Sequence, residues 1–177
     1  MGQLLTLLWD ICRLRRGPQD LPYSPQLLGI ACALHLFSQQ VIVRVLGVEQ
    51  ETLGAGVLSL VFNLGVLYLL LNLRDKRSRF VQTALAIICC AMIFSILLVP
   101  IVLMFGTPPQ SQAQVTPLHL PLAMAALLIV VWKLIVDGHI LRHSLDVPLI
   151  SGIGIAVLWV IAEWALGAAM GNAPATA

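Results

Sequence analysis

Five ionisable side chains within the long apolar stretches of this chain are candidates for function: His35, Arg44, Lys133, Asp137 and Glu163. Such groups are costly inside a membrane, so they usually face protein or water and mark candidate functional sites. Lys133 and Asp137 are four residues apart on one helix face, where they can neutralise each other. With His35 they also have the chemistry of a proton or ion relay. A relay usually needs several acidic groups at different depths, and only Asp137 and Glu163 are available.

Arg44 and Glu163 lie at similar depths in the membrane. Arg44 is about 19 residues into the first apolar run and Glu163 about 16 residues into the last, and both runs point the same way. At about 1.5 Å per residue, their depths agree within roughly 5 Å. We therefore predict that they form an ion pair near the outer third of the bundle, which would fix helix register. The alternative is that Arg44 snorkels to the interface and Glu163 is protonated.

Metal and catalytic motifs are weak or missing in the sequence. His139 and His143 have the spacing of metal ligands, but no third ligand has matching spacing, so a wet interface position is the simpler interpretation. The chain has no phosphate-binding glycine loop, no His-Glu-x-x-His and no Gly-x-Ser-x-Gly. We expect no metal, no cofactor and no catalytic residue, and hence a protein that is not an enzyme. Its four cysteines are expected to be reduced packing residues.

The elements that position these side chains are five long apolar runs. Each reaches the roughly 20 residues that a helix needs to cross about 30 Å of hydrocarbon. Only 10% of the residues are charged, against about 25% in a soluble domain. The sequence predicts an all-α, polytopic membrane bundle of five transmembrane helices. The runs are Pro25–Gly47, Leu53–Leu73, Phe80–Gly106, Leu118–Leu141 and Val147–Met170.

The chain divides into three parts. Residues 1–24 are predicted to be a cytoplasmic amphipathic helix, Gly2–Arg16, followed by a proline-rich elbow. Residues 25–171 form the five-helix bundle, and residues 172–177 a short outside tail. The amphipathic helix has two readings: it lies in the membrane interface near anionic headgroups, or it packs under the bundle with no lipid role.

The basic residues predict the orientation. Eight of the ten lysines and arginines lie before the first run, between runs two and three, or between runs four and five. The connectors on the opposite side have none. Because basic loops stay inside, we expect a cytoplasmic N-terminus and an outside C-terminus, in what is taken to be a bacterial inner membrane. The basic cluster between runs two and three is explained by orientation, so no nucleic-acid partner is expected.

The plan of a cytoplasmic N-terminal segment followed by five closely spaced spans resembles the Yip-domain family of small membrane proteins. Two stretches, from Arg16 to Pro25 and from Trp132 to His143, are similar to its small bacterial members. The resemblance implies a bundle that binds partner proteins or organises membrane traffic, with no known reaction. It carries over no catalytic residue.

Two functions are compatible with the sequence. The first is a non-enzymatic scaffold or accessory subunit that contacts membrane lipids and binds another membrane protein or a second copy of itself. The second is a small ion or lipid transporter or channel component that uses the intramembrane charges. Co-purification with a partner would favour the first, whereas flux in liposomes that Asp137→Asn abolishes would favour the second.

Overall fold

A computed structural model of the chain describes residues 2–46, 53–105 and 117–169. In these ranges the chain is an all-α bundle without strands. Its helices are α1 (Gly2–Cys12), α2 (Pro25–Val45), α3 (Leu53–Leu73), α4 (Phe80–Phe105), α5 (His119–Leu145) and α6 (Leu149–Ala169). The five helices from α2 to α6 are long and apolar enough to span a membrane. The predicted tail 172–177 and the predicted span ends at Gly47, Gly106 and Met170 lie outside the described residues.

The helix boundaries follow local chemistry. Pro25 occupies the first turn of α2, where Ser24 Oγ accepts a hydrogen bond of 3.2 Å from the Leu27 backbone N–H. The α5 helix runs one turn beyond its predicted end at Leu141 and stops at Leu145, because Asp146 adopts the left-handed conformation with φ 53°. Hydropathy marks where a helix leaves the apolar layer, whereas this backbone cap marks where the helix ends.

The α4 helix is the centre of the bundle. It packs against α2, α3, α5 and α1, and its buried residues run along much of its length. The core forms where α4 and α5 meet, and its buried side chains include Leu85, Cys90, Phe94, Val136 and Ile140. Outward-facing residues are mostly large and apolar, as expected for a surface covered by lipid.

The closest helix contact joins α5 to α6 at two glycines. A Cβ atom on Gly152 would lie 2.3 Å from the carbonyl oxygen of Gly138, and a Cβ on Gly138 would lie 2.8 Å from backbone atoms of Ile153. Neither position has room for a side chain, so the two backbones touch. Small residues permit this approach in membrane bundles. The contact sets the distance between the helices that carry Asp137 and Glu163.

Two connectors and the N-terminal segment meet at one end of the bundle, which we call the basic end: residues 13–24, 74–79 and 146–148. There the carboxylate of Asp146 forms ion pairs with Lys76 Nζ at 2.7 Å and with Arg79 Nη1 at 2.8 Å. Arg79 Nη1 also donates to the backbone carbonyls of His143, at 2.8 Å, and Ser144, at 3.3 Å. The hydrogen bonds from Arg79 and Lys76 lower the pKa of Asp146 to about 2. These basic residues therefore clamp two connectors together.

The α1 helix combines features of both interpretations of the N-terminal segment. Its inner face, Leu8, Ile11 and Cys12, is buried against α4 and α5, while Leu5 is 66% exposed and Trp9 46% exposed. The helix ends at Cys12, short of the predicted Arg16, because Leu14 takes a positive φ of 61°. It therefore packs on the bundle and presents an apolar outer face.

Candidate functional site

Glu163 lies at the centre of a polar contact between α3 and α6. Its Oε1 accepts hydrogen bonds from Ser59 Oγ at 2.9 Å and from Asn63 Nδ2 at 2.8 Å. Asn63 Oδ1 in turn accepts a hydrogen bond from Trp159 Nε1. Ser59 and Asn63 are one helical turn apart on α3, as are Trp159 and Glu163 on α6, so two polar pairs face each other across the helix contact.

Lys133 and Asp137 form the second part of the site, on α5. Lys133 Nζ lies 2.6 Å from Asp137 Oδ2, as their four-residue spacing predicts. Asp137 is 9% exposed. Its other oxygen, Oδ1, is buried and has no hydrogen-bond partner among the described residues. A buried polar atom without a partner is costly, so Oδ1 is an unsatisfied acceptor at this site.

A small cavity connects the two parts. Its volume is about 50 Å³, room for a few water molecules. Polar groups from three helices line it together with apolar side chains, and Trp159 lies at its wall. Besides Trp159, the polar residues that line the cavity are Asn63, Lys133, Asp137 and Glu163. We call these four residues, with Ser59 and Trp159, the polar cluster.

The polar cluster lies deep in the apolar layer. Counting about 1.5 Å per residue from the helix ends at the basic end, Asp137 lies about 12 Å in, Asn63 about 15 Å and Glu163 about 21 Å. The hydrocarbon core is about 30 Å thick. The cluster therefore lies near the middle of the apolar layer, where hydration of charged groups depends on the protein and its cavity.

His35 lies on α2, close enough to interact electrostatically with both Glu163 and Lys133. Its Nδ1 is buried without a hydrogen-bond partner among the described residues. It does not line the cavity. His35 is therefore a neighbour of the polar cluster and not a member of it.

The predicted ion pair between Arg44 and Glu163 is wrong. No ion pair joins them within the described part of the chain, and Glu163 takes its hydrogen bonds from α3 instead. The helices explain the error: α2 packs mainly against α3 and α4, whereas α6 packs mainly against α5 and α3. Matching depths along two helices do not make those helices neighbours.

The two histidines near the end of α5 contact each other, and His139 also contacts the N-terminal segment. Their rings meet edge to face with centroids 4.6 Å apart. His139 Nε2 lies 3.0 Å from the backbone carbonyl oxygen of Arg16. Across the described ranges, no three His, Cys, Asp or Glu residues are grouped as metal ligands would be. The observed contacts give these histidines a role in seating the segment after α1.

Comparison with models of known protein families, with curated proteins and with solved structures gives no match. The site must therefore be interpreted from its own geometry. Sequence reasoning missed the roles of Ser59, Asn63 and Trp159. The four-residue spacing of Ser59 and Asn63 within an otherwise apolar run was the available signal, since it places two hydrogen-bonding groups on one face.

Proposed function

We propose that this chain is a non-enzymatic membrane transport component that binds a proton or a small cation at the polar cluster. The observation that supports this function is the convergence of Lys133, Asp137 and Glu163 on one cavity near the middle of the apolar layer. Charged groups at such depth commonly mark proton relays and ion pathways.

The charge balance of the cluster supports binding over a purely structural role. Lys133 and Asp137 compensate each other at 2.6 Å, but the carboxyl group of Glu163 contacts only neutral donors. If the charged residues served only to fix helix register, each charge would be expected to have a counter-charge, which Glu163 lacks. With both acids ionised, the cluster would carry one extra negative charge in a poorly hydrated layer, which favours the uptake of a cation.

Flux measurements in liposomes test this function. The purified chain is reconstituted with either a pH-sensitive or a sodium-sensitive dye inside, and a gradient of the corresponding ion is applied. We expect Asp137→Asn to abolish flux, because asparagine neither ionises nor balances Lys133. Asp75→Asn is the matched control, since Asp75 is exposed at the basic end. Flux that is unchanged in a folded Asp137→Asn protein would rule out the cluster as the pathway.

The scaffold function remains a second candidate, and it is the function that the Yip-domain resemblance implies. It is supported by the outward face of α6, where Ile150 is 85% exposed, Leu158 is 67% exposed, and Gly154 has no atom within 4 Å of an added Cβ. A helix of another membrane protein, or of a second copy, can approach such a face closely. Co-elution of a defined partner from the native membrane, lost in Gly154→Leu, would favour this role over transport.

The proposed orientation places the basic end in the cytoplasm of a bacterial inner membrane, where Arg13, Arg15 and Arg77 are exposed to anionic lipid headgroups. A cysteine at Ser78, in the α3–α4 connector, reports the side directly. It should react with a membrane-impermeant maleimide only after the cells are opened. Reaction in intact cells would reverse the orientation while leaving the bundle itself unaffected.

A further inference from the structure

We infer that the species bound at the polar cluster is a proton and that Glu163 is the carboxyl group that carries it. This inference rests on the proposed transport function, because it names the ion and the residue at that same site.

The two acids of the cluster have different neighbours. Asp137 has an ammonium group 2.6 Å from Oδ2, which stabilises its ionised form. Glu163 has a hydroxyl group and an amide group, both neutral. Where two nearby carboxyl groups have such different surroundings, the one with the counter-charge keeps its charge and the other takes the proton. Here Asp137 is the anion and Glu163 is the acid.

The hydrogen bonds of Glu163 match a neutral carboxyl group. Both donors, Ser59 Oγ and Asn63 Nδ2, point to the same oxygen, Oε1. The second oxygen, Oε2, has no hydrogen bond to any described residue. In a carboxylic acid the carbonyl oxygen accepts hydrogen bonds and the other oxygen carries the proton. The geometry therefore makes Oε1 the carbonyl oxygen and leaves Oε2 to bear the O–H.

A proton on Glu163 also balances the net charge of the cluster. The charges of Lys133 and Asp137 on α5 cancel each other. His35 on α2 is close enough to Glu163 to interact with it electrostatically. The neighbouring helix α3 contributes only the neutral Ser59 and Asn63. With His35 neutral, protonation of Glu163 makes the whole group uncharged. That is the favoured state in a layer where an isolated ion is expensive.

A metal cation fits these atoms poorly. Hard cations take about six or more oxygen ligands. In the cluster, Glu163 Oε1 already accepts two donors, Asn63 Oδ1 accepts Trp159 Nε1, and Asp137 Oδ2 is held by Lys133. Too few oxygens are left for a coordination shell, whereas one proton needs a single acceptor.

The transfer step involves Glu163 and water. The O–H bond at Oε2 breaks, its electron pair stays on the carboxylate oxygen, and the proton bonds to a water molecule in the cavity, forming hydronium. The reverse step restores the acid. The cavity of about 50 Å³ has room for such water. Asp137 lines the same cavity, and its negative charge lies close to the charged water.

Infrared spectroscopy of the full chain in lipid tests the assignment. The chain has three glutamates, Glu49, Glu51 and Glu163, so Glu49→Gln with Glu51→Gln and isotope-labelled glutamate leaves one labelled acid. We expect a label-shifted carbonyl band of a protonated acid at neutral pH. It should be lost in Glu163→Gln and kept in Asp75→Asn, whose side chain is exposed at the basic end. If Glu163→Gln does not fold, Glu163→Asp should replace the labelled band with an unlabelled one.

Each outcome is decisive. A labelled Glu163 that is ionised at neutral pH in the folded chain overturns the inference, and so does a spectrum whose only protonated band shows no isotope shift. The liposome assay separates this inference from the proposed function. A protonated Glu163 without proton flux would end the transport proposal and keep the proton site, whereas sodium flux with an ionised Glu163 would keep transport and end the proton assignment.

Discussion

Asn63 on α3 donates a hydrogen bond of 2.8 Å from Nδ2 to Oε1 of Glu163 on α6. The same amide accepts a hydrogen bond from Trp159 through Oδ1, so one side chain connects two residues of the opposite helix. In an apolar layer each of these groups would otherwise be unsatisfied. The contact therefore fixes how α3 and α6 face each other and brings Glu163 to the cavity.

The glycine contact between α5 and α6 predicts a strong effect of one methyl group. Gly138→Ala forces a Cβ to within 2.8 Å of the Ile153 backbone, and we expect it to destabilise the protein by about 1–3 kcal/mol as the helices separate. Gly154→Ala, on the outward face of α6, is the matched control, because nothing lies within 4 Å of its added Cβ. Thermal unfolding in mild detergent, followed by circular dichroism, measures both. Equal stability of the two variants would contradict this helix contact.

The clamp at the basic end predicts a pH dependence. The pKa of Asp146 is lowered to about 2 in the folded chain, against about 3.9 in an unfolded one. The folded state therefore gains stability from the ionised form above the unfolded pKa, and this gain is lost as pH falls from about 4 through about 2. Asp146→Asn keeps a residue that tolerates the left-handed conformation. Because the variant lacks the charge that pairs with Lys76 and Arg79, we expect it to unfold at a lower temperature than the wild type at pH 7. Its unfolding temperature should also fall less as the pH is lowered.

Unfolding temperatures of the wild type and Asp146→Asn at several pH values give this comparison. Asp75→Asn, at another position of left-handed backbone with φ 55°, controls for the amide substitution. An Asp146→Asn variant as stable as the wild type at neutral pH would show that Lys76 and Arg79 do not stabilise the connector.

The placement of α1 can be checked through its cysteine. Cys12 Sγ lies 3.6 Å from Cys90 Sγ on α4, and both residues are buried. A small thiol oxidant such as diamide should therefore form an intramolecular disulfide between them, seen by mass spectrometry of digested protein. Cys12→Ala should abolish that product. Preferential linkage of Cys12 to Cys32 would place α1 against α2 and contradict its packing on α4.

Much of the fold follows from hydropathy and spacing. Five runs of sufficient length predict five spanning helices because lipid leaves few other ways to satisfy the backbone, and α3 matches its predicted bounds of Leu53–Leu73. The Lys133–Asp137 contact was also predictable, since four residues bring two side chains onto one helix face. Such features depend on a single helix.

The remaining features depend on which helices are neighbours. Arg44 and Glu163 match in depth, but α2 and α6 lie mainly against other helices, and Glu163 accepts its hydrogen bonds from Ser59 and Asn63. Likewise, the tight α5–α6 crossing at Gly138 and Gly152 requires the three-dimensional approach of two backbones. A single sequence predicts which residues share a face of one helix, but it does not predict which helices are neighbours in the bundle.

Cysteine cross-linking tests whether α3 and α6 bring Asn63 and Glu163 together within the apolar layer. The four native cysteines are replaced by alanine, and two double variants are compared in native membranes: Asn63→Cys with Glu163→Cys, and Arg44→Cys with Glu163→Cys. This arrangement predicts a disulfide in the first variant on mild oxidation and little in the second. A cross-link that forms in the second variant and not in the first would contradict it.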